Sequence, residues 1–588
     1  MLDPGDRSWH NAPHDFATLP PALGDRRMGG MFATNFTGLD WWIVAIYLVG
    51  TVLVGVVVNK YIHSVADYMV GGRGSGTALN AATFIGTGLG LVTIMYASIE
   101  GFSKGFSYMV LGLVGLTSGI VLGSTGFVVR RLREYALTTL PEYFERRYSR
   151  RVRVTAGIIC ALAGILNMGL FPKMGATFIT YATGLGHADA AAVAEAPADA
   201  KAQPTTAAQP ATAADTAKAA ATTPAAKPPD TAAATRARQE FMVNVITSLL
   251  IALVLFYTVL GGMVSVIVTD YVQFVILSIG LGLGLYFCLT HPALGWDNMV
   301  NMMKVHRGEA AFNPVHPDSY GWLWVVWMFL HGGVGAVLWA PEASRMLTAK
   351  DPQTTKRTFL VASPGQFIRL AIPCLFAIAA FCYVSQSGGL ARHFFPDGLS
   401  GDAENAAQAM PLLMGKIVPT GLLGLLVAGL MAAFMSTHDS YFLCWSSVIT
   451  RDVVNPLRKR ELTDKQQIRL TRIIIICIGL FLLVWGVWYE LPASVWNYMA
   501  VTGSVYFCGA ASVLIGGLYW KRASSAGAMA AMLGGLISVV VIFLPGKITG
   551  NTMLMGIIGL GNYLFCAIVF VVFSLLFPER PKPATQEA

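Results

Sequence analysis

Apolar runs of about 20 residues recur along this chain, and that recurrence limits its fold more than any other feature. A helix of this length crosses the roughly 30 Å of hydrocarbon in a bilayer. A segment in lipid must satisfy its own backbone hydrogen bonds, which leaves helices or closed barrels. About thirteen such runs occur, near 40–59, 77–100, 107–129, 154–184, 240–259, 263–289, 320–341, 358–385, 417–449, 468–488, 495–519, 525–544 and 553–577. With 55% of its 588 residues hydrophobic and 12% charged, the chain predicts as an all-α polytopic protein of the cell (inner) membrane.

The charges say which way it lies. Most of its 41 lysines and arginines fall in alternate loops: Lys60 and Arg73, the arginines from Arg130 to Arg153, then Arg345, Lys350, Lys356 and Arg357, and a further set from Arg451 to Arg472. The positive-inside rule therefore predicts an outside N-terminus and a cytoplasmic C-terminus. Because the basic residues sit in these short loops, the net charge of +9 needs no nucleic-acid partner. The eight cysteines lie in apolar runs without CxxC spacing and read as small buried hydrophobes. Residues 1–38 predict a polar tail, or a start at Met28 or Met31. Residues 187–238, rich in Ala, Thr and Pro, predict an unstructured outside loop. A regulatory element is the other reading of that insert.

One apolar run carries polar residues at mid-depth, in the stretch Met431–Ser440, MAAFMSTHDS. Ala433, Ser436 and Ser440 share a face at spacings of three and four, with Thr437 beside them and Asp439 three from Ser436. Such an oxygen stripe suits a hard cation; hydroxyls that bond back to their own helix are the plainer reading. A carboxylate at this depth costs on the order of 3 kcal/mol or more and calls for a cationic partner nearby. The run 77–100 holds Gly86, Gly88 and Gly90 at its centre, which predicts a broken helix exposing carbonyls around a site; close helix packing through small residues is the alternative. The run 320–341 repeats the pattern with His331, Gly332, Gly333 and Gly335. Two Gly-interrupted helices, each leading a set of five, predict an inverted repeat: a leading helix at 39–61, repeats at 76–289 and 320–520, trailing helices at 524–578 and a tail at 579–588.

The motifs ADYMVGGR (66–73), TLPEYFERRY (139–148), TVLGGMVSVIVTDYVQ (258–273), SRMLTAKD (344–351), AAFMSTHDS (432–440) and GGLYWKR (516–522) together resemble the sodium:solute symporter family, which has a LeuT-type inverted-repeat fold with an extra leading helix. The resemblance covers about 39–578 apart from the Ala-rich insert. It implies sodium-coupled symport of a small organic solute (a sugar, carboxylate or similar) into the cell by alternating access, without catalysis. It further implies a Na⁺ site formed by the carbonyls of Gly86, Leu89 and Ala433 and the hydroxyls of Ser436 and Thr437. A second sodium would use Asp270 with Ser436, Asp439 and Ser440.

For the solute, the candidate contacts are Gly88, Thr93, Asn167, Lys173, His331, Tyr498 and Tyr506. Gly88 stands where proline carriers of the family have Asp, and none of Gly88, Thr93, Gly332 and Met499 is the amide expected of a glucose-type carrier. Lys173 also reads as a snorkelling lysine, and His331 as a packing histidine. A solute sensor on the same fold and a proton-coupled transporter remain open as alternatives. A membrane enzyme is disfavoured, since the chain has no HExxH, no nucleophile elbow and no soluble catalytic domain.

Overall fold

The computed structural model describes residues 32–58, 75–135, 137–185, 231–399, 401, 403–489, 494–542 and 551–579. Its principal helices are α1 (Gly38–Val58), α2 (Thr77–Gly88), α3 (Leu91–Lys104), α4 (Val110–Thr125), α5 (Arg150–Met168), α6 (Phe171–Thr183) and α7 (Thr231–Thr290). They continue with α8 (Trp322–Leu338), α9 (Ala340–Thr348), α10 (Pro352–Ser385), α11 (Leu422–Val448), α12 (Asp464–Trp488), α13 (Val495–Tyr519), α14 (Ser525–Gly535) and α15 (Thr552–Leu576). Among the described residues there is no strand, only a single bridge between Ser75 and Ala349, as expected where lipid leaves the backbone no outside partner.

Nine helices among the described residues are long and apolar enough to cross a membrane, ten if the bent pair α8–α9 counts as one span. The count of about thirteen from the sequence is not reproduced in this form. The break after α2 leaves a helix of 12 residues, α1 enters only as a shorter apolar helix, and 543–550 lie outside the described residues. Where two runs are expected at 240–259 and 263–289, the backbone stays helical for 60 residues, with separate apolar stretches at Ala237–Val259 and Val268–Thr290.

Burial ranks the helices. Within its apolar window the Leu422–Leu457 segment is 89% buried, against 33% for α12 and α15, so α11 is the central post and those two face outward. Helix α7 packs along α11, while α10 lies against α2, α3 and α4. Seven cysteines are buried as expected, but Cys477, on outward-facing α12, is exposed.

Several boundaries differ from the sequence reading. Residues 32–37 are not a loose tail: Asn35 N–H donates to the Gly415 carbonyl at 2.7 Å, and Asp40 Oδ1 accepts from the N–H groups of Gly421 and Gly424 at 2.7 Å each. That carboxylate caps the first turn of α11, where backbone donors lack helical partners. The Ala-rich stretch ends earlier than expected, because Thr231–Arg238 already belong to α7. Residues 1–31 (with Met28 and Met31), the motif at 66–73 with Lys60 and Arg73, residues 186–230 and the tail 580–588 lie outside the described residues. TLPEYFERRY forms a short helix, Leu140–Arg147. Beside it, Asp452 accepts from Thr139 and Arg153 at 2.8 Å each.

The second interruption also moves. Glycines 332, 333 and 335 lie inside an unbroken α8, and the chain bends by 49° at Trp339 instead. Proline explains the shift: Pro341, in the first turn of α9, has no N–H to donate to the preceding turn and its ring crowds the carbonyl four residues back, so α8 cannot run through it. The glycines serve packing. A Cβ on Gly332 would lie 2.4 Å from Val114 Cγ1, and one on Gly335 3.1 Å from Phe507 Cε2.

Beyond the bend, α9 is fastened to α2. Asn80 Nδ2 donates to the Arg345 carbonyl at 3.0 Å and Thr348 Oγ1 to Asn80 Oδ1 at 2.9 Å. Ser75 exchanges backbone bonds with Thr348 and Lys350.

Candidate functional site

Helix α2 stops where the sequence predicts a break. Leu89 leaves helical geometry (φ −97°, ψ 57°), Gly90 is extended, and α3 begins at Leu91. Thr93 Oγ1 donates to the Gly88 carbonyl at 2.9 Å, so Thr93 clips the two half-helices together. Gly90 is required by proximity rather than by φ: a Cβ there would lie 2.1 Å from Thr437 Oγ1. The break is therefore pressed against the polar face of α11. This seam unites the segment bearing the carbonyls of Gly86 and Leu89 with Ala433, Ser436 and Thr437.

The hydroxyls of that face are oriented. Thr437 Oγ1 donates to the Ala433 carbonyl at 3.0 Å and Ser436 Oγ donates to Asp270 Oδ1 at 2.5 Å. Each hydroxyl has thus directed its proton to an acceptor and keeps lone pairs for a cation. Among the described residues no group of three His, Cys, Asp or Glu side chains could hold a metal ion; hydroxyl and carbonyl oxygens are donors for a hard monovalent cation.

The second set, Asp270 with Ser436, Asp439 and Ser440, already contains a cation of the protein. Arg345 Nη2 lies 2.8 Å from Asp270 Oδ2 and 2.6 Å from Ser440 Oγ, and the guanidinium also donates to Thr87 Oγ1 at 2.9 and 3.1 Å. Both Arg345 and Asp270 are fully buried. Arg345, read from the sequence as a loop residue, is thus the cation paired with Asp270, whereas Asp439, the carboxylate for which the sequence called for a cation, forms no ion pair among the described residues. Arg345 follows Pro341, the last residue of the apolar run in the sequence, but the half-helix α9 carries it back into the core. Asp439 Oδ2 accepts from Tyr257 at 3.1 Å, and its Oδ1 has no partner among the described residues.

A cavity of about 170 Å³ lies beside the break. Of the solute candidates, Asn167 and His331 line it. Asn167 Nδ2 donates to Thr502 Oγ1 at 2.8 Å; His331 Nδ1 lies 3.4 Å from Ser504 Oγ and 3.3 Å from Tyr563 Oη. Gly88 borders it indirectly, since a Cβ there would lie 1.9 Å from Arg369 Nη1. Thr93, Tyr498 and Tyr506 are not brought to its wall. Tyr498 instead donates to the Leu166 carbonyl at 2.9 Å. Lys173 donates to the Tyr489 carbonyl at 2.9 Å and lines a separate, wider cavity with Thr177 and Glu240.

Sequence reasoning missed an ion pair on the cavity wall: Arg369 Nη1 of α10 stands 3.4 Å from Glu342 Oε1 of α9. The signal for Arg369 is present, because an arginine inside the apolar run 358–385 is rare without a function. Glu342 escapes notice for the same reason as Arg345.

The family model for the sodium:solute symporter family matches residues 231–535. The human high affinity choline transporter 1 is 26% identical over 257 residues, covering 42% of this chain and 42% of that protein; the match thus spans about two fifths of that relative's length. The osmoregulated proline transporter OpuE of Bacillus subtilis is 22% identical over 560 residues, covering 92% of this chain and 95% of the relative. The solved structure of a Na⁺-coupled sialic acid symporter, substrate-bound and outward-open, is similar with a TM-score of 0.69 at 18% identity, covering 93% of this chain and 99% of that one. That likeness gives the fold.

Proposed function

Because the chain belongs to the sodium:solute symporter family, we propose that it carries a small organic solute across the membrane together with Na⁺, by alternating access. The observation that carries this reading is the seam at Gly90, where a broken helix meets the oriented hydroxyls of α11. Sodium would bind the carbonyls of Gly86, Leu89 and Ala433 and the hydroxyls of Ser436 and Thr437. Bound there, the ion ties α2 to α11 and favours one arrangement of the bundle over the other; its release lets the bundle rock.

The energetics suffice with one ion. A single Na⁺ moving down about 100 mV supplies about 2.3 kcal/mol, and a tenfold gradient adds about 1.4 kcal/mol. Together they support an accumulation on the order of a few hundredfold. A stoichiometry of one is supported by Arg345, whose guanidinium stands in the Asp270–Ser440 set. The proposed orientation, outside N-terminus and cytoplasmic C-terminus, rests on the loop charges, and the two repeats at 76–289 and 320–520 rest on the paired helix breaks.

Uptake into proteoliposomes tests the reading. A sodium gradient drives solute entry, and Ser436→Ala raises the sodium concentration for half-maximal uptake by about tenfold, the value of one charge-assisted ligand. Unchanged sodium dependence in that variant removes the site. A proton-coupled reading has one observation in its favour, the unpartnered Asp439 Oδ1. Uptake driven by a pH gradient in sodium-free buffer would select it.

A further inference from the structure

The cavity wall carries polar atoms that its own neighbours leave unused. Arg369 offers Nη1 to Glu342 in a single contact of 3.4 Å, while its Nε has no partner among the described residues. One helical turn away on α10, Gln366 Nε2 is likewise buried and unpartnered. Arg369 and Gln366 line the same cavity, so the two free donors lie at i and i+3 spacing on one helix face. Across the cavity, Asn167 Oδ1 is a buried acceptor without a partner. Unmade hydrogen bonds of buried groups are costly, and these three belong to residues that line one cavity.

Resting on the symport reading, we infer that Glu342 and Arg369 recognise the solute, and that the solute is a small zwitterion carrying one carboxylate and one cationic nitrogen. A guanidinium edge with a neighbouring amide donor matches the two oxygens of a carboxylate. A solute bearing only that carboxylate would sit beside Glu342, a like charge in a water-poor cavity, and would draw Arg369 away from it. A solute that also brings a cation leaves neither protein charge alone: carboxylate meets Arg369, ammonium meets Glu342. The remaining wall suits the cationic end, with the rings of Trp339, Tyr441 and Trp496 on the same cavity. Gly88 belongs to the same arrangement, because any side chain there would occupy the place of the Arg369 guanidinium.

The test uses the full chain in proteoliposomes with an inward sodium gradient and three panels of labelled probes. The zwitterions are glycine, alanine, proline and glycine betaine; the anions are acetate and lactate; the neutral polyols are glucose and myo-inositol. Sodium-driven uptake is expected in the zwitterion panel, and Glu342→Gln and Arg369→Gln are each expected to lower it at least tenfold. The parent is expected to be stabilised by Na⁺ over K⁺ in thermal unfolding, and both variants should retain that difference, which would show that the fold and the ion seam persist. Sodium-driven uptake confined to anions or polyols overturns the inference and leaves symport standing, as does zwitterion uptake at the parental rate in both variants. Absence of sodium-driven uptake in all three panels, with no Na⁺-specific stabilisation, counts against the symport reading itself and overturns the inference with it.

Discussion

Two ion pairs leave the same half-helix and meet different fates. Arg345 is fully buried, as is Asp270, and its guanidinium also bonds to Thr87 and Ser440. Glu342, three residues earlier on α9, meets Arg369 in one loose contact, with the side chains 14% and 18% exposed. The first pair has its hydrogen bonds filled by protein, and the second has donors left over. A saturated buried pair fixes how helices sit against one another, whereas an unsaturated one at a cavity can exchange its partner for a ligand.

The largest effect comes from breaking the saturated pair. Arg345→Met leaves Asp270 buried without its cation and is expected to destabilise the protein by about 3–5 kcal/mol. The readout is a lowered thermal midpoint in detergent, with most of the loss recovered by adding Asp270→Asn. Recovery would show that stranded charge, rather than lost packing, sets the cost.

Next is the seam between them. Gly90→Ala places a methyl group 2.1 Å from Thr437 Oγ1, and overpacking of this kind costs about 1–3 kcal/mol. Sodium affinity should fall with stability in this variant, so titration of Na⁺-dependent thermal shifts checks it. An affinity equal to the parent's would separate the break from the ion.

For the loose pair the stability effect is smaller. Glu342→Gln should cost less than Arg345→Met, about 1 kcal/mol, because only one contact of 3.4 Å is weakened and the amide oxygen can still accept from Arg369. Its effect on transport should exceed its effect on the thermal midpoint, the reverse of Arg345→Met.

The weakest case is a half-exposed carboxylate at a helix cap. Asp351, at the N-cap of α10, accepts from Thr354 N–H at 2.7 Å and Thr354 Oγ1 at 2.9 Å, and the backbone bond leads in holding its pKa below the ordinary carboxylate value. A depressed folded-state pKa contributes stability that is present above the unfolded value and lost as the pH falls through the folded one. Asp351→Asn should therefore leave the thermal midpoint near neutral pH almost unchanged and flatten its decline in acid. An unaltered acid profile would remove the cap's role.

What could be read in the residues alone follows the same physics. Gly86, Gly88 and Gly90 announce a break because three glycines within five residues weaken a helix wherever it lies. The hydroxyl face of α11 is visible because helical spacing is a local property. Asp439 signals a missing cation, yet nothing in the order of residues says that the buried arginine, Arg345, pairs with Asp270 instead. An arginine four positions past a proline looks like loop, and only the return of α9 into the bundle makes it core. The glycines at 332–335 mislead for a related reason: they permit a kink, but Pro341 imposes one. The cavity was invisible, since its wall joins α2, α4, α5, α8, α9, α10, α11 and α13, and such a meeting is decided by packing rather than by any single segment.

The shortness of α9 has a mechanical consequence. Nine residues make a rod of roughly 13 Å, too brief to flex between positions 342 and 345, so a swing about Trp339 displaces both charged heads together. On the proposed symport, a load on Glu342 is therefore felt at Arg345 and, through its bonds to Thr87, at the helix that ends in the break; such coupling would be reciprocal, so the factor by which Na⁺ raises solute affinity would be the factor by which solute raises Na⁺ affinity.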